Sequence, residues 1–125
     1  MSRNRWLLSA LVAALLIVTG TGWAQVTQGP QQYVVIYITF LPDEANHGKK
    51  LLEDLATQSL KNPSAINFSA ARQIDRDNQF VLVERWTSAQ AYQAYKASAV
   101  WTAFVGKATP LLAAPFDERD GVLLR

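Results

Sequence analysis

The chain has 125 residues, with 12 Lys and Arg against 10 Asp and Glu, a formal net charge of +2, one histidine and no cysteine. These counts exclude a disulfide framework, a cysteine nucleophile and a thiolate metal site, and any Ser-His-Asp triad would depend on His47 alone. The longest Lys/Arg run is Lys49-Lys50, which leaves no basic stripe for nucleic acid.

Arg3 and Arg5 precede an apolar run from Trp6 to Val18, and Gly22-Trp23-Ala24 sets small residues three before and one before a cut. This is the layout of a secretory signal peptide, with cleavage expected after Ala24 and export across the inner membrane to the periplasm. The run is short for a membrane span, which needs about 20 apolar residues. Reading on through Trp23 gives the alternative of an uncleaved anchor. The absence of cysteine excludes the lipid-modified type of signal. Cleavage removes Arg3 and Arg5 and no acidic residue, so ten basic residues face ten acidic ones in a mature chain of 101 residues. That length suits one domain with one core, free of the membrane once the signal is gone.

Gln25 to Gln32, with Gly29-Pro30, reads as a flexible leader, and the domain as residues 33–125. Tyr33 to Phe40 (YVVIYITF) is β-branched and aromatic, bounded by Pro42, and apolar on both faces: a strand covered on both sides. From Asp43 the pattern turns helical, with Ala45, Leu51, Leu52, Leu55, Ala56 and Leu60 on one face and Lys49–Glu53 and Lys50–Asp54 spaced as solvated pairs. Asn62-Pro63 ends that helix. Ala65 to Ile74 is the second strand, Asp75-Arg76-Asp77-Asn78 a hairpin turn and Gln79 to Thr87 the third strand. The turn lacks the downstream Gly and Glu of a calcium loop. Ser88 is placed to cap a helix from Ala89 to Ala97. A further helical stretch runs from Val100 to Leu112, blunted by Pro110. Asp120-Gly121 reads as a turn and Val122-Leu123-Leu124 as the last strand.

The order β-α-β-β-α-β predicts an α+β, ferredoxin-like domain: one antiparallel sheet with helices on one face. One sheet face then lacks cover, leaving Val81 and Val83 exposed in a monomer. The expectation is a homodimer through that face, as in a dimeric α/β barrel.

The stretch from Phe80 to Phe104 carries the chemistry. Strand alternation puts Phe80, Leu82, Glu84 and Trp86 on one face, so a carboxylate stands beside an indole on an apolar surface. Such a carboxylate needs a partner or water. Glu84, Trp86, Tyr92, Tyr95, Trp101 and Phe104, with Tyr37 and Arg72 from neighbouring strands, form a candidate pocket lining suited to a flat aromatic ligand. No metal-ligand cluster and no Gly-rich phosphate loop accompanies them.

Glu84-Arg85-Trp86 followed by Ala91, Tyr95, Ser98, Trp101 and Phe104 resembles the antibiotic biosynthesis monooxygenase family, over a span from Tyr33 to about Leu112. The resemblance implies a ferredoxin-like dimer that oxidises a quinol or polycyclic phenol with O2, without metal or flavin. A haem-binding branch uses a helix histidine and a first-strand asparagine; this chain has Tyr95 where many members carry the histidine and Ile36 near the asparagine position. Tyrosine can ligate haem iron, which keeps a haem ligand as an alternative. On the oxygenase reading, Glu84 or Tyr95 handles the proton, Arg72 stabilises the oxyanion, and Trp86 and Trp101 hold the substrate ring with Tyr92, Phe104 and Tyr37 around it. The plainer alternatives are core roles for Trp86 and Trp101, an ion pair of Glu84 with Arg72 or Arg85, a wet hydroxyl on Tyr95 and a solvated Arg72. A non-catalytic dimeric module that binds an aromatic or haem-like ligand is the alternative function.

Overall fold

A computed structural model describes residues 29–124. The expected signal peptide and most of the leader lie outside the described residues. Four strands, β1 (Gln32–Thr39), β2 (Ala65–Arg72), β3 (Gln79–Trp86) and β4 (Asp117–Val122), form one sheet in the order β2-β3-β1-β4, with every neighbouring pair antiparallel. Three helices, α1 (Ala45–Ser59), α2 (Ala89–Lys96) and α3 (Ala99–Ala108), complete the ferredoxin-like arrangement. Short 3-10 turns at Pro42–Glu44 and Thr109–Leu111 precede α1 and follow α3.

Alternation builds the core. Val34, Ile36 and Ile38 of β1 and Phe80, Leu82, Glu84 and Trp86 of β3 are buried on the helix side. Their neighbours Tyr33, Val35, Tyr37, Val81 and Val83 occupy the other side, where Val83 and Tyr37 are exposed and Val81 is half-buried. Helix α1 supplies Gly48, Leu52, Leu55 and Ser59 to the core at helical spacing. Gly48 is required by close approach, because a Cβ there would overlap the Phe40 ring.

Several boundaries differ from the sequence expectation for physical reasons. Leu60, expected on the apolar face of α1, is exposed. It follows Ser59 at the helix C-cap, rotated about 100° from it and away from the buried stripe. Strand β2 ends at Arg72, and Ile74 stands almost fully exposed in the hairpin. The stretch after Val100 is a ten-residue helix followed by a 3-10 turn that holds Pro110, whose ring and missing N–H suit a helix end. The largest difference is at the C-terminus. The last strand is the charged segment Asp117–Val122, with Asp120-Gly121 inside it, while Leu123 and Leu124 lie beyond it and are exposed. As a sheet edge paired only with β1, this strand gains little from apolar alternation, and its charges discourage pairing with another chain.

Candidate active site

The site grows from the end of β3. Glu84 and Trp86 are two apart, share the helix side and are both fully buried. Trp86 Nε1 donates to Glu84 Oε2 at 2.8 Å, while Oε1 is buried with no hydrogen-bond partner. Burial disfavours the charged form and pushes the Glu84 carboxyl up to about 7. The Trp86 bond and Lys96 oppose that rise, whereas the carboxylates of Glu118 and Asp120 add to it.

The ion-pair alternative is not what the structure holds. Arg85 alternates to the open face, where its guanidinium donates to Tyr33 Oη at 3.2 Å and lies over the ring. Arg72 pairs in register with Phe80, four positions along β3 from Glu84 and so about 13 Å away at the rise of a strand. It is exposed and borders a small hollow of about 80 Å³ with Lys49, Leu52 and Glu53. Tyr37 is on the open face under Arg119, whose guanidinium carbon is 5.3 Å from the ring centre. The expected placement of Arg72 and Tyr37 beside Glu84 is therefore corrected by the topology.

The other expected residues come together. Ser88 caps α2 by accepting from the Ala91 N–H at 3.1 Å, which sets Tyr92 and Tyr95 on the sheet-facing side one turn apart. Ser98 caps α3 in the same way and positions Trp101 and Phe104. Trp86 lies 4.5 Å from Tyr95 and 5.9 Å from Tyr92 between ring centres. The chain of rings continues from Tyr95 to Trp101 at 5.8 Å and from Trp101 to Phe104 at 5.5 Å. Phe68 and Phe116 close the cluster against Tyr95 and against Trp101 and Phe104.

Three polar members escaped the sequence reading. The Tyr92 hydroxyl donates to the Glu118 carboxylate, and Lys96 Nζ reaches the same oxygen at 2.7 Å. The ammonium also sits 5.2 Å from the ring centres of both Tyr92 and Trp101. Ser59 Oγ and Tyr95 Oη are 2.8 Å apart, and both residues are buried. The Tyr95 tip is thus dry rather than wet. Lys96 lies one turn beyond Tyr92, a signal that spacing could have given; Ser59 and Glu118 come from distant elements and had none.

Burial holds both tyrosine phenols well above their ordinary range, with the acceptor Glu118 adding to the effect at Tyr92 and Ser59 opposing it at Tyr95. Glu84 is the member of this cluster whose proton exchanges near neutrality. The hollows bordered by Leu51 and Phe104, by Asn46 and Lys50, by Gln58 and Tyr95, and by Lys49 and Arg72 do not have Glu84 or Trp86 in their walls. The rings of Trp86, Tyr92 and Tyr95 pack together beside the carboxylate. Tyr95, the residue placed for iron, has its hydroxyl tied to Ser59 and its ring against Trp86, so these residues do not fit a haem without repacking. His47 is exposed near the start of α1, 3.3 Å from Glu44. Among the described residues there is no group of three or more His, Cys, Asp or Glu able to hold a metal ion, and no helix long and apolar enough to cross a membrane.

This arrangement has relatives. The family model for antibiotic biosynthesis monooxygenase matches residues 32–107. No curated protein matches the chain. Among solved structures, PA3566 from Pseudomonas aeruginosa is similar with a TM-score of 0.74 at 15% identity, covering 80% of this chain and 100% of that one. A candidate antibiotic biosynthesis monooxygenase from Nitrosomonas europaea has a TM-score of 0.73 at 20% identity, covering 79% of this chain and 95% of that one. Rv0793 from Mycobacterium tuberculosis has a TM-score of 0.72 at 19% identity, covering 76% and 96%. At these identities the structures speak to the fold, and the family model, which spans more than half of the sequence, speaks to ancestry: the chain belongs to the antibiotic biosynthesis monooxygenase family.

Proposed function

We propose that this protein is a periplasmic, homodimeric, cofactor-independent monooxygenase acting on a small phenol or hydroquinone with O2. The observation that carries the reading is the fully buried Glu84, one oxygen held by Trp86 and the other unpartnered, titrating near pH 7 among aromatic rings. A base poised near the working pH is suited to taking a phenolic proton. Tyr95, expected to share that role, is the weaker candidate because its own proton is held too tightly. Export rests on the Arg3 to Ala24 pattern and dimerisation on the exposed Val83 and Tyr37 of the open sheet face.

The chemistry balances without a cofactor. Conversion of a phenol to a quinone removes four electrons from the ring, the number O2 accepts when one oxygen atom enters the product and the other leaves as water. The protein's tasks are to take the phenolic proton on Glu84, orient the anion against Trp86 and Trp101, and keep bulk water away. Arg72 is too far along the strand to serve as the oxyanion partner. Lys96, above the rings of Tyr92 and Trp101, is the cation on the correct side of the sheet.

A second reading, a binding module without turnover, is favoured by one observation: Glu84 and Trp86 are fully buried among packed rings. Oxygen uptake by the purified protein with hydroquinones and polycyclic phenols, in the presence of chelator, separates the two. The oxygenase gives uptake well above the autoxidation blank and loses it in Glu84→Gln. Saturable quenching of tryptophan fluorescence by the same phenols without uptake would establish the binding module instead.

A further inference from the structure

Glu84 and Trp86 are fully buried, so an element of the fold must move before anything reaches the carboxylate. Of the four strands, β4 alone has no buried residue. Asp117, Glu118, Arg119 and Asp120 are four charges in a row and Gly121 follows them, a composition poorly suited to a strand. It is also a sheet edge, paired with β1 alone. The opposite edge, β2, is anchored by the buried Phe68, whose ring packs on Tyr95. Few buried contacts and exposed backbone are the marks of a segment that opens locally, ahead of the rest of the fold.

Two side chains tie this segment to the helix side. Phe116, half-buried just before β4, lies 6.0 Å from the ring centres of both Trp101 and Phe104. Glu118 accepts from the Tyr92 hydroxyl and from Lys96 Nζ, the latter at 2.7 Å. The near end of the segment is fixed, because Leu112 bridges to Phe40 and the Ala113 N–H donates to the Thr39 carbonyl at 2.8 Å. Behind the Glu118 contact the path to the carboxylate is short. The Tyr92 ring is 5.9 Å from that of Trp86, which donates to Glu84. Across the sheet, Glu84, Val34 and Asp120 share one row of the register.

We propose that residues 113–122 form a strap, latched by Glu118 on Tyr92 and Lys96, whose release from β1 opens the route from the sheet edge to Glu84. That a substrate uses this route rests on the oxygenase reading; that the strap opens does not. Glu118 is then a positioning residue: it touches no reacting atom and acts by holding the edge strand closed over the rings. The charges that make β4 a poor strand are what let it leave the sheet without exposing a core of its own.

The test uses the absence of any native cysteine. Val35 and Arg119 are register partners on the open face, and paired residues of antiparallel strands sit about 4.5–5.5 Å apart between Cα atoms, within disulfide reach. Val35→Cys with Arg119→Cys, confirmed as an intramolecular bond by mass, locks β4 onto β1 when oxidised and frees it when reduced. The readout is NMR hydrogen exchange of the Trp86 indole Nε1–H, the proton donated to Glu84, in the whole protein. Exchange should slow at least about tenfold in the oxidised form and recover on reduction, because a local opening is replaced by a rarer, wider one. Glu118→Gln should speed it about fivefold, the worth of a pair in contact with water. Equal indole exchange in the oxidised and reduced forms would overturn the proposal. Oxygen uptake with hydroquinones on the same samples, desalted after reduction, keeps the two readings apart. Gated exchange without uptake in the reduced form removes the oxygenase and leaves the strap. Uptake that survives the lock removes the strap as the entry and leaves the oxygenase.

Discussion

The two faces of the central sheet are made by alternate residues of the same strands, yet they treat charge in opposite ways. On the helix side Glu84 is sealed among rings and its carboxyl is pushed up to about 7 by burial. On the open side Asp117 is exposed, and its hydrogen bond with Arg119, at 2.8 Å, holds it below the usual carboxylate range. The open face covers its tyrosines with arginines, Arg85 over Tyr33 and Arg119 over Tyr37, so aromatic surface there lies beside permanent charge. The difference sets two environments for a carboxylate. A carboxylate that must change its protonation state in use belongs where water is excluded, and one that must stay ionised belongs where water and a guanidinium hold it so.

The largest expected effect contrasts a ring from each face. Trp86→Ala empties the centre of the buried cluster and should cost about 3–5 kcal/mol of unfolding free energy in urea. Tyr37→Ala, on a residue 40% exposed, should cost under about 1 kcal/mol in a monomer. Equal losses would mean that the open face is as well covered as the closed one.

Next comes Val83→Glu, which places a charge in the middle of the open face. If that face joins two copies, sedimentation should show the wild type as a dimer and the variant as a monomer, with dimer affinity reduced about a hundredfold or more, roughly 3 kcal/mol. A variant that sediments like the wild type would place any dimer contact elsewhere.

The third prediction turns on the sign of one titration. In the folded chain Glu84 holds its proton up to about pH 7, above its ordinary value of 4.5. The folded state thus binds the proton more tightly than the unfolded one. The resulting stabilisation is fully present below pH 4.5 and is lost as pH rises through 7. Urea unfolding should show stability falling by about 3 kcal/mol from this group between acid and mildly alkaline pH, a step absent in Glu84→Gln. On the proposed oxygenase reading, turnover should move the other way, rising with pH toward a plateau above 7 as the base ionises.

Much of this was legible beforehand, for reasons that can be named. Alternation from Phe80 to Trp86 and helical spacing from Tyr92 to Phe104 are local patterns, and they placed six ring or carboxylate residues on one side of the sheet. The ferredoxin-like class followed from the sequence of elements. Position along a strand was not legible: Arg72 and Tyr37 were candidates by type, but register put one at the far end of β3 and alternation put the other on the opposite face. The charged β4 strand is hard to see in the sequence because apolar Val122-Leu123-Leu124 reads more like a strand than Asp117–Val122 does. The same charge pattern conceals Glu118, the acceptor from Tyr92 and the partner of Lys96.

The smallest effect tests whether that edge strand reaches the buried carboxylate at all. Lys96 and Glu118 form a pair that keeps contact with water, worth about 1 kcal/mol, and Lys96→Met keeps the stem over the Tyr92 and Trp101 rings. Overall stability should therefore change little. The pH dependence should change more, because Lys96 lowers the Glu84 carboxyl while Glu118 and Asp120 raise it. Without the ammonium, the two carboxylates act unopposed and the Glu84 step in the urea series should move to higher pH. An unmoved step would mean that burial alone sets the titration, and that the charges of β4 guard the sheet edge without tuning the site.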